Sequence, residues 1–503
     1  MTTSVYPRRQ RRRQFLRNAA GGAAGLAGVL ASPAIAQTRE LTFLTIASFV
    51  PDTDKELKRQ LEEWGKQNNV KTRLDIIAHL QLQTKKAAEV QAKSGHDLTA
   101  LGPGLGDAAL YYDYLVDLAD LATEVGAKNK VKVRLDIIAH LQLQTKKAAE
   151  VQSRSGHDLT ALGPGLGDAD LYFDYLADLN DVAADVAPKN GGWLNPNDYL
   201  IRGKWKLLPW WQPPFPMAVR TDLLEQIGEK NPDTWEDWLR IGKKGKAIGH
   251  PFGTALGHSG DANVTLLSIL WSYGGSYVAK DGKTITINSK ETRVAMEFVK
   301  RLYTEAMDPE VLAWDDASNN RCLNAGKCIG IHNPISAYES AKKDKILVPG
   351  TQKEIAEVID HINTPKGPVD RKATTGFWCV GIWNFSKNVD LAKDFLRYHF
   401  QPDNQAKWVD AGHGFNMPFL NNLTKHPVYK SDKQYRFIPE VAKVTVAPSW
   451  PGPTTAASQQ VWDLYIIPDM FAQYATGKMT LDQAIAWGEK EMQEIYAGRK
   501  RKN

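Results

Sequence analysis

The sequence predicts an α/β protein with room for two domains, and three observations predict it. After residue 40 the chain alternates a buried strand, Leu41 to Ile46, an amphipathic helix, Asp54 to Gln67, and another strand, a β-α-β order that implies parallel strands with right-handed connections. A 61-residue unit, itself reading strand, helix, strand, helix, occurs twice in tandem. The 503 residues are 43 % hydrophobic, with no apolar run after the first 36 residues long enough to span a bilayer, which suits a globular protein of two cores.

The N-terminus addresses the compartment. Arg11 to Arg17 read R-R-R-Q-F-L-R, an Ala/Gly-rich run follows from Ala19 to Ala31, and the small-residue site Ala34-Ile35-Ala36 precedes Gln37. This is the layout of a secretory signal peptide over residues 1–36, cleaved after Ala36. Its Arg12-Arg13-x-Phe15-Leu16 core resembles a twin-arginine export signal. No lipid-accepting Cys lies near the cleavage site, so the expectation is a free periplasmic protein. The six arginines Arg8, Arg9, Arg11, Arg12, Arg13 and Arg17 account for the whole formal charge of +6. The mature chain is therefore near neutral and gives no sign of a nucleic-acid partner, and the closing Arg499 to Lys502 cluster reads as a solvated tail.

Cysteine usage fits an oxidising compartment. Cys322 and Cys328 are close enough in sequence to close a small loop, while Cys379 has no obvious partner. There is no C-x-x-C, no H-E-x-x-H and no clustered His/Cys ligand set, so neither a metal nor any other cofactor is expected.

The repeat runs from Val70 to Lys130 and again from Val131 to Gly191, with about a fifth of its positions changed. In the first copy it reads as a strand at Arg73 to Ile77, a helix at Leu80 to Lys93, a strand at Asp97 to Leu101, a Gly/Pro loop and a helix at Ala108 to Leu121. One duplication is not a solenoid, which needs three or more units. The loops Gly102 to Asp107 and Gly163 to Asp168 follow a strand and precede a helix, the context of a dinucleotide site. Their third Gly comes one residue early for G-x-G-x-x-G and Pro occupies the turn, so the better reading is a ligand loop at the carboxyl end of a parallel strand.

Farther along, Gly203 to Pro209 leads through Trp210-Trp211-Gln212-Pro213-Pro214-Phe215-Pro216 into Met217 to Leu224 and Pro232 to Asp237. Three prolines lock φ and remove donors, making a stiff extended connector. Trp271-Ser272-Tyr273-Gly274-Gly275, the Asn288-Ser289 helix start, Ala325 to Cys328 through His332-Asn333, and Ser386-Lys387-Asn388 before an Ala392 to Tyr398 helix follow in order. This succession resembles the family 1 extracellular solute-binding proteins of ABC transporters, the maltose-binding type, over nearly the whole mature chain. Removing one repeat copy leaves a chain of ordinary length for that family.

The resemblance implies a two-lobed periplasmic binding protein fold of type II, non-enzymatic and monomeric, each lobe a mixed or parallel sheet flanked by helices. Lobe 1 would comprise 37–208 plus 365–400 and lobe 2 217–361 plus 405–498, with hinge crossings at 209–216, 362–371 and 401–404. It implies a carbohydrate or polyol held between the lobes and handed to membrane permease subunits. A sugar presents an apolar ring face and a fringe of hydroxyls, so its receptor needs aromatic platforms with Asp, Asn and backbone groups, and the chain carries 15 Trp. Aligned on the family, the cleft residues are Ser48, Gly163 and Gly165 from the first lobe and Trp210 and Trp211 from the hinge. Asp261, Asn263, Trp314, Asp315, Asn333 and Trp450 come from the second lobe, with Phe377 and Trp378 from the returning strand. Trp64, Trp235, Trp238 and Trp408 sit at helical positions and read as core. His96 and His157 replace the family's usual Pro and read as structural.

Two other classes fit parts of this pattern. A secreted glycoside hydrolase needs carboxylates on both sides of a bond, which the adjacent Asp315-Asp316 do not provide; a sensor or chemotaxis receptor would share every feature named. Between the repeats, the second copy runs straight into the rest of the lobe through Pro188 to Trp193, whereas the first ends in Lys128-Asn129-Lys130. The second is expected to supply the cleft loop and the first to pack as an added layer.

Overall fold

Strand-forming residues after the N-terminal segment pair as foreseen. In the computed structural model, which describes residues 40–46, 58–59, 61–63, 65–66, 70–77, 98–99, 140–163 and 165–498, β1 (Glu40–Ile46) runs parallel to β2 (Lys71–Ile77) along its whole length and to β3 (Leu98–Thr99) on its other side. Both partners belong to the first repeat copy. Ile76 on β2 is 40 % exposed, so this sheet keeps apolar surface in solvent. The signal peptide, Ser48, Trp64, His96, the 80–93 helix, the Gly102 to Asp107 loop and the closing basic cluster lie outside the described residues.

The second copy enters a different sheet. Its strand β4 (Leu159–Leu162) is followed by the hairpin β5 (Leu200–Ile201) and β6 (Lys204–Trp205), then by β7 (Leu208–Trp211). Beyond the connector come β8 (Met217–Arg220), β9 (Phe252–Gly253), β10 (Gly330–His332), β11 (Ile359–Ile362) and β12 (Trp378–Ile382). β12 lies between β4 and β7, antiparallel to both, and forms the lobe 1 sheet. The lobe 2 sheet has the order β11-β8-β10-β9. The chain thus passes from the first of these sheets to the second at 212–216, the three-proline stretch, and returns between Ile362 and Trp378.

The helices follow their caps. In the second copy α1 (His140–Ser153) precedes β4, and α2 (Gly167–Leu171) and α3 (Asn180–Lys189) follow it. The copy pattern predicts one helix across these last two. It is broken because the Ala177 amide donates to Ile382 O and Leu176 bridges to Trp383 on the sheet edge, so β12 takes the backbone groups that a continuous helix would use. In lobe 2, α4 (Trp235–Ala247) starts from Thr234, whose capping box with Asp237 satisfies the first-turn amides. α5 (Gly260–Ser272) starts at Ser259 and is buried nearly all round, and α6 (Lys290–Arg301) starts at Ser289. α7 (Ser318–Asn324) precedes β10, and α8 (Val389–His399) and α9 (Pro402–Ala411) follow β12. The chain closes with α10 (Ala456–Asp463), α11 (Ile466–Ala475) and α12 (Leu481–Tyr496).

The third crossing does not fall at 401–404. Pro402 occupies the first turn of α9, where its missing N–H costs nothing, and α9 packs on α8. The chain stays with lobe 1 through Asn421 and Asn422, whose amides donate to Gly192 and Asn190 carbonyls. It joins lobe 2 only afterwards, where Gln434 Oε1 accepts from the His361 amide at 2.9 Å. Trp235 and Trp238 are fully buried; Trp408 is half-buried, its ring 5.6 Å from that of Trp210. Cys322 and Cys328 form a disulfide joining α7 to the start of β10, and Cys379 is free and buried.

Candidate functional site

Where β4 ends, its chain turns through Gly163 and Gly165, with φ of +139° and +141°, a region that L side chains rarely adopt. Space imposes the same restriction. A Cβ on Gly165 would stand 2.2 Å from Gln459 Oε1, and one on Gly167 2.4 Å from Gln459 Cβ. The loop is threaded between two strangers in sequence: the Gly165 amide donates to Phe377 O at 3.0 Å and the Gly167 amide to Gln459 Oε1 at 3.3 Å.

Beneath the loop, Lys147 of α1 and Asp168 of α2 form an ion pair in which Lys147 is 1 % exposed. Burial pulls the ammonium's pKa down, and the Asp168 carboxylate opposes that. The same carboxylate accepts the Gly163 amide at 3.0 Å, so the pair fixes the loop's entry. His157 does structural work: its Nδ1 lies 2.5 Å from Glu150 Oε1, whose other oxygen accepts from Trp383 Nε1 at 2.9 Å.

Strand alternation separates the two hinge tryptophans. Trp210 stacks on His399, ring centroids 4.3 Å apart, against α8 and α9. Trp211, on the other face, sits 5.5 Å from Phe415 and 6.2 Å from Trp378, which lies opposite it in the β7–β12 ladder. Phe377 is buried below them against Tyr199.

Lobe 2 contributes the first turn of α5. Asp261 is buried, its Oδ2 accepting from Asn319 Nδ2 at 2.6 Å and its amide donating to Asp316 Oδ1 at 3.1 Å. Burial, reinforced by the Asp316 charge, pushes the Asp261 carboxyl well above the usual range, against the Asn319 hydrogen bond. Asn263 Nδ2 donates to Trp462 O at 3.1 Å; its buried Oδ1 has no donor among the described residues. Trp450 stands edge-on to Trp271, 6.0 Å between centroids, with the Lys372 ammonium 5.3 Å over its ring.

Three expected residues do other work. Trp314 is only 9 % exposed, packed on Gly253, and borders a cavity of about 420 Å³ with His258, Asp469 and Gln473. Asp315 points to solvent, held by Ser318 and Arg321, and those hydrogen bonds lower its pKa; its neighbour Asp316 is the one turned to Asp261. Asn333 is buried and spends Nδ2 on Asn320 Oδ1 and Pro334 O. The structure therefore gathers Gly163, Gly165, Trp211, Phe377 and Trp378 in one place and Asp261 and Asn263 in a second. Gln459, Asn319, Asp316 and Phe415 join them without any signal in sequence spacing. Among the described residues no group of three His, Cys, Asp or Glu side chains could hold a metal ion.

The model of the bacterial extracellular solute-binding proteins matches residues 60–436. A curated relative, a probable ABC transporter-binding protein of Deinococcus radiodurans, is 25 % identical over 324 residues, covering 59 % of this chain and 75 % of its own. Among solved structures, maltose-bound T. maritima MalE3 superposes with a TM-score of 0.58 at 20 % identity, over 91 % of this chain and all of that one. A solute-binding protein of Agrobacterium radiobacter in complex with ribitol gives 0.57 at 14 %, over 91 % and 98 %. A sugar transporter protein of Arthrobacter chlorophenolicus with bound laminaribiose gives 0.58 at 15 %, over 91 % and 99 %. At such identities the likeness is one of fold.

Proposed function

Because this chain belongs to the bacterial extracellular solute-binding proteins, we propose that it holds a carbohydrate or polyol between its lobes and delivers it to an ABC importer's permease. The observation that carries the reading is the pairing of Trp211 with Trp378 beside the Gly163 to Gly167 loop, half-buried rings next to a glycine-lined turn. A flat aromatic takes the apolar face of a sugar ring, and Asp261, Asn263 and loop backbone groups suit its hydroxyls. The solved relatives with maltose, laminaribiose and ribitol support that ligand class.

The protein binds without turnover in this reading. Glycoside hydrolysis needs two carboxyl groups flanking the bond, whereas Asp261 and Asp316 lie together on one lobe, the Asp316 carboxylate accepting the Asp261 amide and the Asp261 carboxylate accepting from Asn319. Export by the twin-arginine-type signal would place the mature chain in the periplasm as a free monomer.

A thermal-shift screen over maltose, laminaribiose, tagatose, ribitol and a wider carbohydrate panel tests this, since a compound that binds only the folded state must raise its melting temperature. At least one member should do so and be recovered unchanged by mass spectrometry. A flat panel refutes the ligand class, and hydrolysis products refute the non-enzymatic reading.

A further inference from the structure

We propose that Asp170 is a positioning residue that latches lobe 1 to lobe 2, a contact that only the second repeat copy is equipped to make. It depends on the two-lobed fold and needs no particular ligand. α2, which carries Asp170, follows β4 of the lobe 1 sheet; α10 packs with α11 and α12 in lobe 2. Between them, Asp170 Oδ2 accepts the Ala456 amide at 2.8 Å. Ala456 is the first residue of α10, and the Thr455 capping box is already committed to Ser458. The carboxylate thus serves a first-turn N–H that the cap leaves open, at the helix end whose dipole favours negative charge.

The other carboxylate oxygen is fixed from lobe 1. Arg202 Nε donates to Asp170 Oδ1 at 2.7 Å from the β5–β6 turn, so one oxygen serves each lobe. The Gly167 amide on Gln459 Oε1 forms a second rung of the same contact.

The tandem copies supply an independent comparison. The loop glycines, the buried lysine and the following aspartate are retained in the first copy as Gly102, Gly104, Gly106, Lys86 and Asp107, yet Ala109 stands where the second has Asp170. Two other changed positions also tie the second copy into its lobe. Asn180 Oδ1 accepts the Trp205 amide at 2.9 Å, where the first copy has Ala119. The Arg202 guanidinium lies 4.6 Å over the Phe173 ring, where the first copy has Tyr112. Asp170 is the one of the three that reaches the opposite lobe, and alanine there offers nothing to Ala456.

Pulsed electron-spin distance measurement on the ligand-free full chain tests the latch, with nitroxides on cysteines introduced at Lys204 in lobe 1 and Lys478 in lobe 2. The parent should show a closed population. Asp170→Ala should lower the closed-to-open ratio about tenfold and Asp170→Asn should restore part of it, both with unchanged circular dichroism. Should Asp170→Ala fail to fold, Ala456→Pro removes the donor N–H at a helix position that accepts proline, after a Thr455 already extended, and should open the lobes alike. A parent without a closed population, or an Asp170→Ala or Ala456→Pro distribution that superimposes on the parent's, overturns the proposal.

Discussion

Trp211 and Trp378 stand opposite one another in the β7–β12 ladder with ring centroids 6.2 Å apart and planes inclined by 42°. Each is half-buried, so an apolar ring face can still be covered by a ligand. Trp211→Ala should weaken binding of whichever panel sugar stabilises the protein most, by about 1–3 kcal/mol, through lost apolar burial. Trp450→Ala should weaken it as well and also lower the melting temperature, because that ring supports buried Trp271. Unchanged titration calorimetry for both variants would remove the platforms from the site.

Acid should unfold this protein through its buried histidines. His332 and His361 are fully buried, and burial lowers both from 6.5 to about 4, opposed by the acceptor oxygens of the Phe215 carbonyl and of Gln434 Oε1, which favour the protonated rings. The unfolded chain therefore takes up these protons first as pH falls. Each neutral histidine contributes stability that is fully present above about 6.5 and lost as pH falls through about 4, on the order of 3 kcal/mol apiece. His332→Gln should flatten the decline of urea-unfolding stability between pH 7 and pH 4.5, and a slope equal to the parent's would contradict it.

The Cys322–Cys328 disulfide closes a short loop between α7 and β10. Replacing both cysteines by serine should cost about 2 kcal/mol, the chain-entropy value for so small a loop. The remaining thiol, Cys379, is buried, and burial raises its pKa well above the ordinary range. Ellman titration of the native parent should therefore find no reactive thiol until denaturant is added.

Deleting Val70 to Lys130 should leave a folded protein with unchanged sugar affinity. The second copy carries nearly the same strand sequence, so Val131 to Ile138 can take the place of β2 beside β1 while Gly163 to Asp168 keeps its contacts with Phe377 and Gln459. Deleting Val131 to Gly191 instead removes Asp170, Asn180 and Gly191, the last at φ +71° where the first copy has Lys130. That variant should lose affinity; the reverse outcome would assign the cleft loop to the first copy.

The sequence by itself determined what lies within a few residues of each position. Thr234 and Ser289 announce their helices because a cap acts on amides two or three residues away; the three prolines after Trp211 announce the connector because φ is fixed residue by residue. Only the tertiary structure decided the matters that depend on remote partners. Asp316 rather than Asp315 turns to Asp261, the expected single helix after Gly167 breaks where β12 claims Ala177, and the chain stays on lobe 1 past 401–404 because α9 has α8 to pack on. The two glycine loops have the same sequence, so no local pattern can tell them apart. In the second copy the loop meets Gln459, a residue 292 positions away, and such a contact is selected by packing and burial summed over the folded chain.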